Sequence, residues 1–199
     1  NEEAIFTYEL TGYLFTVGEL PSYLVLGFVC AIASWMFVQT LHASESFFGK
    51  ISLHPVLLPV LGAFFLGLLG IAGQLGSGAM DGNALIPTDS SVPVFFGNGY
   101  AMITSLLDPT HYSVSDVTWT AVVALGLLMI AKIIATSSTL GSGGSGGVFA
   151  PSLFIGATVG GTFGLVLEMV GLMPDGGSPA SYALVGMAAV LAGTTFAPM

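Results

Sequence analysis

Apolar residues in this chain fall in long, nearly unbroken blocks, with neither the one-sided helical spacing nor the strict alternation of elements that keep a face in water. A helix needs about 20 mostly apolar residues to cross a bilayer. Ser22 to Leu41 meets that length, and Pro21 stands just before it, where a helix start accepts proline. A second block, Pro55 to Ala72, opens on a proline and runs into Gly73, Gly76 and Gly78, which are expected to end it. A third covers Val117 to Leu140, a fourth Phe149 to Met173, and a fifth begins near Tyr182 and continues to Met199. The pattern predicts an all-α, polytopic integral membrane region with spans at 22–41, 55–72, 117–140, 149–173 and 182–199.

Between the second and third spans, Asp81 to Asp116 is rich in Pro, Gly, Ser and Asp, but contains VPVFFGNGYAMITSLL at 92–107. That stretch is short for a full span, so it is expected to be a half-helix or re-entrant segment. The opening 20 residues carry Glu2, Glu3, Glu9 and Glu19 and read as an approach at the membrane surface. The positive-inside rule has little to act on: Lys50, with His42 and His54 nearby, weakly favours the cytoplasm for the first connection. The chain begins on Asn1 and stops at Phe196-Ala197-Pro198-Met199 inside an apolar segment, so it reads as a piece of a longer protein.

Composition sharpens this picture. Hydrophobic residues make up 54% and charged residues only 7%, where an ordinary soluble domain carries about 25% charge. Mean hydropathy is +0.92. Eleven carboxylates face two lysines and no arginine, giving a net charge of −9 and excluding nucleic acid, which is held by neutralising phosphates with Lys and Arg. The single cysteine, Cys30, lies inside an apolar run, excludes disulfide stapling and reads as a small core residue. His42, His54 and His111 are scattered without ligand spacing, and neither a Ser/His/Asp set nor paired carboxylates share a span, so catalysis and metal binding have no support. In Gly156-x-x-x-Gly160-x-x-x-Gly164 the small residues recur at the spacing that lets membrane helices approach closely, and they are read as packing contacts.

The most informative segment is Thr136 to Gly156, in which the run from Gly141 to Gly147 holds only glycine and serine between two strongly apolar helices. Gly141-x-Gly143-x-x-Gly146 matches the dinucleotide fingerprint, but that motif needs a short strand before it, and a long apolar helix stands there instead. No Gly-Lys-Ser/Thr follows, so a P-loop fails as well. A flexible linker outside the membrane remains open. Against it, Val148-Phe149-Ala150-Pro151-Ser152 puts a proline in the first turn of a long helix, which is a sharply defined start. The first N–H groups of a helix lack internal partners and carry about half a positive charge, and preceding glycines let the chain curl so that successive N–H groups converge. Such a place binds anions, and broken helices at membrane depth are how transporters hold ions. Ser138, Ser142 and Ser145 could add hydroxyl donors.

The run LGSGGSGGVFAPSLFIGA resembles the Gly-x-Phe-x-Pro signature of the CLC family of chloride channels and chloride/proton exchangers, with Gly147, Val148, Phe149, Ala150 and Pro151 at its five positions. Glu19-Leu20-Pro21, the PVLGAFFLGLLG segment, Lys132 before the threonine-serine stretch and the terminal GMAAVLAGTTFAP fall in the order that family shows, so the resemblance covers most of the chain. It implies part of an inverted-repeat helical fold in a cell membrane, and a full-length protein that is a homodimer with an anion pathway in each subunit. It implies chloride or a similar small anion as substrate and the lipid bilayer as surroundings, and no cofactor. It also implies that the backbone N–H groups of Val148 and Phe149 touch the anion at the start of a helix buried in the protein, with Gly146, Gly147 and Ala150 beside them and Pro151 as the helix start. The family's gating glutamate, its Gly-Ser-Gly-x-Pro serine, its pathway tyrosine and the inner glutamate of exchangers have no counterpart here, so the resemblance leaves channel and exchanger both open. Phe196 departs from the family, which carries a basic residue before Ala-Pro.

Lys132 sits within the third span, and an intramembrane charge is a functional candidate by default; it is read as electrostatic support for the anion or as a snorkelling or carboxylate-paired lysine. Glu168 follows Phe149 by 19 residues, roughly 28 Å along a helix, and is expected near the far surface in water. Two other readings stay in view: a transporter of another small anion with the same broken-helix site, and a membrane scaffold with no ion path.

Overall fold

The computed structural model describes residues 17–54, 56–77, 85–87, 92–112, 119–174 and 177–195. Among these residues the elements are six α-helices and two short 3₁₀ turns, with no strand. The helices are α1 Leu20–Gly49, α2 Leu58–Ser77, α3 Tyr100–Leu107, α4 Trp119–Gly141, α5 Phe149–Val170 and α6 Pro179–Thr195. Four of them, α1, α2, α4 and α5, are long and apolar enough to cross a membrane.

The boundaries depart from the sequence reading where hydropathy and helix chemistry disagree. The first span was expected to end at Leu41, yet α1 continues for two more turns through His42 and Glu45, whose side chains pair at 3.4 Å. Hydropathy marks the edge of the apolar block, whereas the helix stops only where a breaker arrives, at Gly49. Its 30 residues reach about 45 Å at 1.5 Å per residue, well beyond a hydrocarbon core of about 30 Å. The second span was expected at 55–72, but α2 starts at Leu58, after a turn closed by Leu57 N–H on the His54 carbonyl, and passes straight through Gly73 and Gly76. These glycines do not stop the helix; Gly73 makes room for a neighbour, since a Cβ there would lie 2.8 Å from the Phe95 ring.

The stretch at 92–107 is helical only in its second half. Gly97 and Gly99 adopt φ of +62° and +74°, a left-handed backbone that an α-helix cannot contain, and Asn98 Oδ1 accepts the Tyr100 N–H at 3.2 Å to open α3. The third span matches α4 to within two residues. The fourth was expected to reach Met173; α5 ends at Val170 because Gly171, at φ +72°, closes it with its own N–H on the Glu168 carbonyl and the Leu172 N–H on the Leu167 carbonyl. The last helix begins at Pro179, three residues earlier than expected, and its expected end at 196–199 lies outside the described residues, as do Glu2, Glu3, Glu9, Asp81, Asp116, Gly78 and Phe196.

α5 is the centre of the molecule. One side of it, with Phe154 and Ala157, packs into a cluster with Ile103 and Leu106 of α3, Leu125 of α4 and Ala183 and Met187 of α6. The other side, with Ile155 and Val159, joins Leu26, Cys30 and Phe37 of α1, Ile133 of α4 and Tyr182 and Val190 of α6. Cys30 is fully buried there, as its apolar surroundings in the sequence imply. The glycine ladder of α5 lies against α6: a Cβ on Gly156 would stand 2.5 Å from the Gly186 carbonyl oxygen, one on Gly164 would stand 2.6 Å from Pro179 Cα, and one on Gly160 would meet the backbone of Tyr182. With no hydrophobic drive between helices in lipid, such backbone contact is what holds them together.

Candidate functional site

The glycine-serine run between α4 and α5 divides into two parts with different work. Its first part closes α4. Gly143 takes φ +85°, its N–H donates to the Leu140 carbonyl at 3.0 Å, and the Gly144 N–H donates to the Thr139 carbonyl at 2.9 Å, the paired bonds of a left-handed helix cap. The Ser142 hydroxyl donates to the Thr139 carbonyl at 3.0 Å, and Ser138 is buried within α4. Two of the three serines considered as anion donors are thus placed by α4, and Ser145 is exposed.

In the second part, from Ser145 to Ala150, the donors have no acceptor among the described residues: no carbonyl there accepts the N–H groups of Gly146, Gly147, Val148, Phe149 or Ala150. α5 starts at Phe149, with Val148 at the capping position and no side chain capping it, and Pro151 in the first turn has no N–H to satisfy. The first bond of the helix runs from the Ser152 N–H to the Val148 carbonyl at 3.0 Å. Ser152, fully buried, also donates its hydroxyl to that carbonyl at 2.7 Å and meets the Thr194 hydroxyl of α6 at 2.9 Å. With the Ser152 proton on the Val148 carbonyl, Thr194 is the donor of this contact, and the Val190 and Leu191 carbonyls, 3.0 and 3.1 Å from its Oγ1, are the alternative acceptors for its single proton. The beginning of α5 is therefore tied to the end of α6 by a side-chain bridge.

This start is not enclosed as the sequence reading expected. Val148 is 40% and Phe149 58% exposed, and burial begins only at Pro151. Glycine and serine bring little side chain to bury: the first part of the run packs against Ser44 of α1 and Gly62 of α2, whereas the second part borders Leu140 and, through Ser152, the end of α6. The bridge of Ser152 and Thr194 was not anticipated from the sequence. A hydroxyl directly after the helix-starting proline and a threonine pair at 194–195 were the available signals, but 42 positions separate the partners.

Lys132 is buried, only 2% exposed, and neither snorkels nor pairs with a described carboxylate. Its ammonium donates to the carbonyls of Phe95 at 3.0 Å and Gly97 at 2.7 Å, and lies 5.2 Å from the centre of the Phe154 ring. It thereby satisfies carbonyls of the turn before α3, irregular backbone that a membrane tolerates only when protein supplies its partners. Glu168 is exposed in the last turn of α5, at the end expected. His111 is bonded locally, its Nδ1 lying 3.0 Å from the Ser105 carbonyl, and among the described residues no three His, Cys, Asp or Glu side chains gather as metal ligands would.

Comparison with known proteins agrees with this architecture. The voltage gated chloride channel family profile matches residues 2–199. A ClcB-like protein of Ralstonia nicotianae is 32% identical over 182 residues, covering 91% of this chain and 35% of its own length. The voltage-gated ClC-type chloride channel ClcB of Citrobacter koseri is 30% identical, covering 92% of this chain and 37% of its own length. Chloride channel protein CLC-f of Arabidopsis thaliana is likewise 30% identical, with 92% of this chain and 22% of its own length covered. The chain thus spans between about a fifth and two fifths of these relatives, and no solved structure matches it. With a family match over nearly every residue and helices built to cross a bilayer, the chain is part of a multi-pass integral membrane protein and belongs to the voltage gated chloride channel family.

Proposed function

We propose that the protein containing this chain carries chloride or a similar small anion across a membrane, and that the anion is held by the backbone N–H groups of Val148 and Phe149, with Gly146, Gly147 and Ala150 beside them. The observation that carries this reading is the run of N–H groups with no acceptor among the described residues, placed between a completed helix cap and an uncapped helix start. Those donors carry the partial positive charge of a helix end, which attracts an anion without the grip of a full buried charge. Binding of that strength lets an ion enter and leave quickly. Pro151 fixes the first turn, and the Ser152 bridge to Thr194 fixes the turn against α6, so the donors are held in place before the ion arrives. Relatives named as chloride channels support chloride as the ion. The reading includes a homodimer with one pathway per subunit, and it assigns transport rather than chemistry to the site.

The test is to load liposomes containing the full-length protein with chloride and to follow chloride efflux and external pH together. Chloride efflux is expected. Efflux that drives protons in the opposite direction identifies an exchanger, and efflux without proton movement a channel. Folded protein that moves no chloride would overturn the reading.

A further inference from the structure

Lys132 lies about 20 Å along α4 from Trp119 and about 14 Å from Gly141 at 1.5 Å per residue, which is the middle of a membrane span. A cationic side chain at that depth is costly unless a partner offsets its charge. Phe95 and Gly97 supply carbonyl dipoles, and Phe154 supplies the face of a ring, but among the described residues no carboxylate pairs with the ammonium. An ammonium has three N–H groups, and two are committed to carbonyls. One remains.

Beside it lies a cavity of about 310 Å³, lined by Lys132, Thr136 and Thr139 from α4, Leu66 from α2 and the turn Phe95 to Gly97. Lys132, Thr136 and Thr139 follow one another at the spacing of a single helix face. Thr139 donates its hydroxyl to the Ala135 carbonyl, whereas the Thr136 hydroxyl has no partner among the described residues. A buried cation with a spare N–H and a spare hydroxyl one turn away therefore both line one cavity. The other lining side chains, those of Leu66, Phe95, Phe96 and Ala135, offer no competing acceptor.

We propose that this cavity is a second anion site, in which a halide-sized ion accepts hydrogen bonds from Lys132 Nζ and Thr136 Oγ1 and neutralises the buried ammonium. It is distinct from the start of α5, because Phe154, the α5 residue whose ring the ammonium faces, lies five residues inside that helix. Its depth excludes a lipid phosphate, which stays at the membrane surface. The volume exceeds that of a single halide, so water shares the cavity and completes the ion's shell. The two sites also differ in kind: a full charge holds the ion here, partial charges at α5.

The experiment is bromide anomalous scattering from crystals of the full-length protein. The expected result is a bromide peak within hydrogen-bonding distance of Lys132 Nζ and Thr136 Oγ1, absent in Lys132→Met and at least several-fold weaker in Thr136→Val. The threonine variant leaves the lysine's bonds to Phe95 and Gly97 in place, so it reads the site even where Lys132→Met fails to fold. An empty cavity in folded wild-type protein, or a carboxylate found on Lys132 Nζ, overturns the proposal. A peak at Lys132 with none at Val148 and Phe149 supports it while defeating the assignment at the start of α5. The reverse pattern defeats the second site alone.

Discussion

At Gly160 a single hydrogen separates the backbone of α5 from that of α6, and a Cβ would run into the Tyr182 carbonyl. No rotamer relieves a clash between backbones, so Gly160→Ala must push the two helices apart. Overpacking of this kind costs about 1 to 3 kcal/mol. Gly67, also in a membrane helix, faces open space, and Gly67→Ala is expected to change stability by less than about 0.5 kcal/mol. Thermal unfolding of the full-length protein in detergent should show a lowered Tm for the first variant and an unchanged one for the second; equal shifts would mean the α5 ladder is not a packing device. Gly143, at φ +85°, gives a second contrast. Asparagine tolerates that left-handed backbone better than a β-branched residue does, so Gly143→Val should lower Tm more than Gly143→Asn. The spacing of Gly156, Gly160 and Gly164 announced their role, because that role depends on local helix geometry. Lys132 was visible as an unusual charge, but its acceptors stand 37 and 35 positions away and only folding brings them to it.

For whole elements, the apolar blocks overlap the observed helices, four of which are long and apolar enough to cross a membrane, and helix chemistry decided where they stop. The start of α5 was legible to the residue, since a proline in the first turn after a glycine run leaves little freedom. In α2 Gly73 misled because its role depends on the phenylalanine that fills the space, which the local sequence does not contain, while Gly76 faces open space within the helix. The division of the α4–α5 junction was likewise hidden: glycine is as suited to closing one helix as to exposing the donors of the next. If the anion sits at the start of α5 as proposed, Thr194 is a positioning residue, since its hydroxyl bridges α6 to the first turn of α5. Removing the bridge in Thr194→Val should weaken chloride binding to the full-length protein by roughly five-fold, the equivalent of one hydrogen bond of about 1 kcal/mol. Thr194→Ser keeps the hydroxyl and should bind as the parent does. Calorimetric titration with chloride distinguishes this from a purely structural bond, whose loss would lower Tm and leave the affinity of the folded protein unchanged.

Across the whole molecule, apolar surface is left uncovered where a soluble protein would hide it. Leu24, Phe28 and Trp35 on α1 and Phe64 and Leu75 on α2 are each more than 60% exposed, and Val148 and Phe149 at the start of α5 are open as well. Lipid can satisfy the first group, since hydrocarbon is as apolar as leucine. It cannot serve the second, because an ion held by backbone N–H groups against lipid would have no route to water on either side. The proposed pathway therefore needs walls from outside the described residues, and the chain spans only 35% of its relative in Ralstonia nicotianae. The 199-residue chain expressed by itself is expected to insert into membranes and resist alkaline extraction, yet to give liposomes no chloride permeability above that of lipid. Expressed together with the remaining segments, it should assemble and restore the flux. Chloride permeability from the isolated chain would show instead that these helices form a complete pathway among copies of themselves, and the walls would then have to be sought at an interface between identical chains.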